Sequence, residues 1–116
     1  MLPNRIRLSQ NATDKLRYIK SGTGVTPNIL ARIAIMLAVK DETGLGSAGI
    51  KDFDGQELNQ SVLFGEHYQT YDVIINQYLH DHQIDMPIAQ AIAAMVEVGI
   101  HKMGHAKKVD DLCEIS

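Results

Sequence analysis

Asn4-Arg5-Ile6-Arg7-Leu8-Ser9 alternates polar and apolar residues, which is the period of a half-buried strand. Ile6 and Leu8 fall on one face of such a strand and Arg5 and Arg7 on the other, because successive side chains of an extended chain point to opposite sides. A helix is expected directly afterwards, from near Asn11 to Lys20, with Ala12, Leu16 and Ile19 as its apolar stripe. Asn11 is placed to cap it, and Asp14 in the first turn suits the positive end of the helix dipole. Ser21-Gly22-Thr23-Gly24 reads as a turn, since Gly22 and Gly24 both tolerate positive φ. Thr26 and Pro27 then serve as cap and first residue of a second helix. That helix is expected to run to about Glu42 and to bury Ile29, Leu30, Ile33, Met36 and Leu37.

Beyond this unit, residues 43–60 are polar and rich in glycine and read as a loop, with a short strand expected at Ser61–Phe64. A third helix is expected from Glu66 to His82, where Tyr71, Ile74, Ile75, Tyr78 and Leu79 keep helical spacing. A fourth runs from Met86-Pro87 to Met103 and stops at Gly104. It is apolar nearly all round (Ile88, Ile92, Met95, Val96, Val98, Ile100), which places it either in the centre of the core or at a subunit contact. The tail from His105 is polar. Tyr18, Pro27, Ala31 and Ala34 recur 60 positions later as Tyr78, Pro27's match Pro87, Ala91 and Ala94. Internal duplication and chance both remain open for this faint repeat. The whole is a mostly α single domain: a strand-helix-helix unit over residues 1–42, the loop 43–60, a second helical half 61–104 and the tail 105–116.

The chain has 116 residues, 45% of them hydrophobic, enough for one compact domain with a modest core. It contains no apolar run of membrane-spanning length, and Met1-Leu2-Pro3-Asn4-Arg5 lacks the apolar segment of a signal peptide. Its single cysteine, Cys113, cannot close an internal disulfide. A cytoplasmic, membrane-free location is expected. The net charge of −3 conceals an uneven distribution. Residues 1–40 carry seven basic groups against Asp14 alone, whereas residues 41–116 carry four against thirteen acids. Such asymmetry points either to an anionic partner at the basic end or to the two halves facing each other in the fold.

The unit over residues 4–42 resembles a ribbon-helix-helix module, in which strands from two chains pair into a DNA-contacting ribbon. A lone strand has unpaired edges, so the pattern calls for a partner chain or an internal copy. Other motifs are weaker. Gly44-Leu45-Gly46-Ser47-Ala48-Gly49 has dinucleotide-loop spacing but follows a helix, where the motif requires a strand before and a helix after. Asp52-Phe53-Asp54-Gly55-Gln56-Glu57 lacks calcium-loop spacing and reads as a solvated acidic loop. His101 and His105 have the i, i+4 spacing of two metal ligands, with His80 and His82 elsewhere, but no acid or cysteine cluster joins them. Nucleophile elbow, phosphate loop and paired carboxylates are all missing, and no motif surrounds Cys113. The reading is therefore of a non-enzyme without cofactor or metal. Arg5, Arg7, Lys15, Arg17 and Lys20 are its expected DNA contacts, and Gly22 and Gly24 hold the turn and with it the oligomer.

Arg5-Ile6-Arg7-Leu8-Ser9, Lys15-Leu16-Arg17 and the run from Ser21-Gly22-Thr23-Gly24-Val25-Thr26-Pro27 to Arg32 also resemble the DndE family. So do the Gly44–Gly49 loop, the Phe64-Gly65-Glu66 step and Ile100-His101-Lys102-Met103-Gly104, so that the resemblance spans nearly the whole chain. It implies a subunit of the bacterial DNA phosphorothioation machinery, which replaces a non-bridging phosphate oxygen with sulfur. In such systems a cysteine desulfurase, a sulfur-transfer subunit and an ATPase-like subunit carry the chemistry. The small subunit is implied to bind duplex DNA, nicked or distorted, to self-associate as a homo-oligomer such as a tetramer, and to join the others. Two rivals remain: a ribbon-helix-helix transcriptional regulator or antitoxin reading bases with Arg5 and Arg7, and an interaction scaffold without a DNA role.

Overall fold

The N-terminal alternation becomes strand β1 (Arg5–Arg7), with Ile6 buried between exposed Arg5 and Arg7. The computed structural model describes residues 2–40, 45, 50 and 52–103. The partner of β1 is β2 (Glu57–Asn59), antiparallel, pairing Arg5 with Asn59, Ile6 with Leu58 and Arg7 with Glu57. Leu8 extends the ladder: its amide donates to the Gln56 carbonyl and its carbonyl accepts from the Gly55 amide, both at 2.9 Å. Of the two partners the lone strand called for, another chain or a segment of its own, the structure supplies the second. The loop assigned to 43–60 contains that strand at its end. The strand expected at Ser61–Phe64 is helical instead, as α3 (Gln60–Phe64). Glu57-Leu58-Asn59 offers a single apolar residue, too little alternation to stand out. The Asn59 carboxamide ends the strand by accepting from the Ser61 amide at 2.9 Å, a helix cap.

Helix α1 (Gln10–Thr23) is capped by Ser9, two residues earlier than the expected Asn11; the Ser9 hydroxyl accepts from the Ala12 amide at 3.0 Å. Ala12, Leu16 and Ile19 are buried as the spacing requires. The helix runs past Lys20 through Ser21 and Gly22, so Gly22 is helical and only Gly24 of the pair adopts the left-handed conformation, with φ 76°. The Gly24 amide donates to the Lys20 carbonyl at 2.7 Å and closes the helix. The chain then turns by 110° into α2 (Pro27–Lys40), opened by proline as expected.

The buried side of α2 differs from the stripe of large side chains expected for it. Leu30, Ala31, Ala34, Ile35, Leu37 and Ala38 face the core, while Ile29 is exposed and Ile33 and Met36 are half-buried. The reason is α5 (Ile88–Lys102), which crosses α2 so closely that a Cβ on Gly99 would overlap the Ala34 backbone. Alanines face the partner helix at such a crossing because larger side chains would hold it off. Every residue from Ala91 to Ile100 is buried, so the apolar helix is the centre of the core of one chain. Between α3 and α5, a 3-10 turn (Gly65–His67) leads into α4 (Tyr68–Asp81), which buries Ile75 and Tyr78. Gly104 and the tail lie outside the described residues.

The first half runs strand, helix, helix and the second strand, short helix, 3-10 turn, helix, helix; β1 pairs with β2, and α2 packs on α5. No single described helix is long and apolar enough to cross a membrane.

Candidate nucleic-acid interface

Because Ile6 and Leu58 face inward, the outer face of the ribbon presents Arg5, Arg7, Glu57 and Asn59. The Arg5 and Arg7 side chains are 72% and 52% exposed. Glu57 stands between them, 3.9 Å from the Arg5 guanidinium and 3.4 Å from that of Arg7. Arg7 also donates to the Gly55 carbonyl at 3.3 Å. Gly55 borders a shallow depression of about 490 Å³, across which Arg17 and Lys20 project from α1. Arg17 is 71% exposed and lies 3.9 Å from Asp14. Ion pairs this exposed are worth about 0–1 kcal/mol, so Glu57 and Asp14 orient the guanidiniums without committing them.

Arg5 and Arg7 thus share the ribbon face around Glu57, while Arg17 and Lys20 on the helix that follows line the depression together with Asp54 and Gly55. Lys15 stands on a neighbouring stripe of α1 with Asn11 and Tyr18, half-buried and outside the depression. The framework beneath is rigidly bonded. The Thr13 hydroxyl donates to the Ser9 carbonyl at 2.9 Å and accepts from the Gln56 amide at 2.7 Å, tying α1 to the strand approach.

Two acids with structural work were not singled out by the sequence reading. Glu97 is buried in α5, 6% exposed, and its carboxylate accepts from the Ser9 hydroxyl at 2.5 Å and from the Asn11 carboxamide at 3.1 Å. Its signal was present as the one acid within the apolar run Ala91–Ile100. Asp52, assigned to a solvated acidic loop, accepts from the Asp54 and Gln10 amides, each at 3.0 Å. These two bonds, Asp54 first, hold its carboxyl below the usual carboxylate range.

The histidines are dispersed. His80, His82 and His101 are exposed, and the His82 ring packs on Tyr78 with centroids 4.2 Å apart. Among the described residues no group of three or more His, Cys, Asp or Glu gathers as a metal site would require. His105, Cys113 and, apart from Leu45, the Gly44–Gly49 pattern lie outside the described residues.

Comparison with known proteins agrees with this architecture. The family model described as DNA sulphur modification protein DndE matches residues 5–111. The crystal structure of DndE from Escherichia coli B7A, involved in DNA phosphorothioation modification, is similar at a TM-score of 0.71 and 35% identity. That match covers 87% of this chain and 97% of the other. A DndE mutant with two glycines replaced by lysine, also involved in DNA phosphorothioation, is similar at a TM-score of 0.69 and 32% identity, again over 87% and 97%. No curated protein matches. With the family model spanning nearly all of its elements, from β1 through α5, this chain belongs to the DndE family of DNA sulphur modification proteins.

Proposed function

We propose that this chain is a non-catalytic, DNA-binding subunit of the phosphorothioation machinery. It holds duplex DNA, nicked or distorted, mainly through the phosphate backbone. The observation that carries the reading is the exposure of four basic side chains, Arg5 and Arg7 on the ribbon and Arg17 and Lys20 on α1, with Arg7 bonded to Gly55 at the edge of the depression that Arg17 and Lys20 line. Arginines and lysines presented in this way position a duplex without reading its sequence. Glu57 on the same ribbon face lowers its positive charge, which fits a modest grip by one copy and favours several copies acting together.

Self-association into a homo-oligomer such as a tetramer is part of this proposal, on revised grounds. The strand edge and the apolar helix that first suggested it are both satisfied within one chain. Its support is now the set of large apolar side chains left outside, Tyr18, Val62 and Val73, each 59% or more exposed. The remaining subunits of the machinery, which handle sulfur transfer and nucleotide hydrolysis, are the proposed further partners, and the cytoplasm the proposed location.

A gel shift on nicked, intact and random-sequence duplexes tests the function. The proposal expects binding to all three, strongest on the nicked duplex, and no cleavage or sulfur incorporation by the chain alone. Binding confined to one operator sequence would favour a transcriptional regulator instead. Binding to none of the three would leave an interaction scaffold.

A further inference from the structure

The side of α2 turned away from α5 forms one wall of a second depression, of about 430 Å³, whose other wall is the start of α4. Ile29, Ile33 and Met36 fall at i, i+4 and i+7 along its floor, and Ile74 and Tyr71 face them from α4. The step from Ile29 to Met36 rises about 10 Å, two helical turns. Burial pushes the Tyr71 phenol above its ordinary range, opposed by the nearby Arg32 charge, as expected of a poorly hydrated wall. Arg32 is itself half-buried, and among the described residues it makes no hydrogen bond and no ion pair. A guanidinium drawn part-way out of water with its donors unused is unusual, because such charges are normally paired. No Asp or Glu is among the described lining residues, and Lys40 and His67 add to the basic rim.

These features select the occupant. An apolar floor two turns long, walled by two helices, is a seat for a third, amphipathic helix. The unanswered Arg32 charge calls for an acid beside that helix's apolar stripe. A second copy docked two-fold on the groove would set Arg32 and Lys40 against themselves, since such a contact brings the same patch from both chains. The side chains that support self-association, Tyr18, Val62 and Val73, also do not line it. We propose that the groove between α2 and α4 is the docking site for an acidic amphipathic helix of a different polypeptide, its apolar stripe on Ile29, Ile33 and Met36 and a carboxylate on Arg32. None of these residues is among the four cations assigned to DNA, so the site holds or fails independently of that reading.

A phage-displayed library of helical peptides tests this on the full-length chain. Leu is fixed at i, i+4 and i+7, and the flanking positions are drawn equally from Glu, Lys and Gln. Clones retained by the unaltered chain should favour Glu over Lys several-fold. The best clone, made as a peptide and followed by fluorescence anisotropy, should bind about tenfold weaker to Arg32→Glu and to Ile33→Asp. Lys102→Glu, an equal charge change at the exposed end of α5, should leave its affinity unchanged. Lys in place of Glu in the peptide should restore binding to Arg32→Glu, a rescue that a misfolded variant could not give. Clones without an acidic bias, or equal losses in Arg32→Glu and Lys102→Glu, would overturn the proposal. So would an oligomer that Ile33→Asp dissolves while no helix is retained, which would put a second copy of the chain in the groove.

Discussion

Ser9 and Glu97, 88 positions apart, share a hydrogen bond of 2.5 Å that fastens the start of α1 to the central helix of the core. The same Ser9 hydroxyl accepts from the Ala12 amide, so one side chain both caps α1 and satisfies a buried carboxylate. Ser9→Ala should cost about 1–3 kcal/mol, the sum of a lost cap and a carboxylate left short of a partner. Ser9→Ala and Glu97→Ala together should cost less than their sum, with a coupling of roughly 0.5–3 kcal/mol. Urea unfolding of the four proteins checks this, and additivity within about 0.3 kcal/mol would show that the two residues act separately.

Gly99 gives a prediction whose sign runs against intrinsic preference. Gly to Ala inside a helix ordinarily gains ~1 kcal/mol. At Gly99 the added methyl meets the Ala34 backbone, which cannot swing aside as a side chain could. Gly99→Ala should therefore destabilise by about 1–3 kcal/mol, measured by the shift in urea midpoint at constant slope.

The two turn glycines should part company. Gly24 holds φ 76°, where a β-branched residue is strained, so Gly24→Val should lose about 1–2 kcal/mol even though nothing crowds a Cβ there. Gly22 is an exposed residue of the last turns of α1, so Gly22→Ala should gain about 0.5–1 kcal/mol. Thermal melts of the two variants read the difference directly, and a loss in both would place Gly22 under a constraint this fold does not explain.

Periodicity made the helices legible, and the same physics shows where it stopped. Ala12, Leu16 and Ile19 are large enough in pattern to mark the buried face of α1, and Pro27 fixes where α2 begins. On α2 the reading by side-chain size chose Ile29, Leu30, Ile33, Met36 and Leu37, of which Leu30 and Leu37 are buried, yet Ala31, Ala34 and Ala38 are buried too and Ala34 meets Gly99, because close approach of α5 selects for small residues. The strand at Glu57–Asn59 was hidden because its pairing is long-range and only Leu58 is buried. Of the candidate interface, the exposed basic residues were chosen from charge alone. That Arg17 and Lys20 line one depression with Gly55, to which Arg7 donates, and that Lys15 lies outside it, follows from the strand approach packing on α1, which no local pattern encodes.

The central claim is tested by combined charge reversal of Arg5, Arg7, Arg17 and Lys20, with binding to nicked duplex followed across a salt series. Each phosphate contact should contribute a slope of roughly −0.9 in log affinity against log salt. The quadruple variant should lose binding and most of that slope while keeping its melting temperature within the small range typical of surface substitutions, about 0.5 kcal/mol in stability. Lys15→Glu should weaken binding less than reversal at Arg17 or Lys20. Undiminished affinity and an unchanged salt slope in a folded quadruple variant would contradict the account and remove the ribbon face as the DNA site.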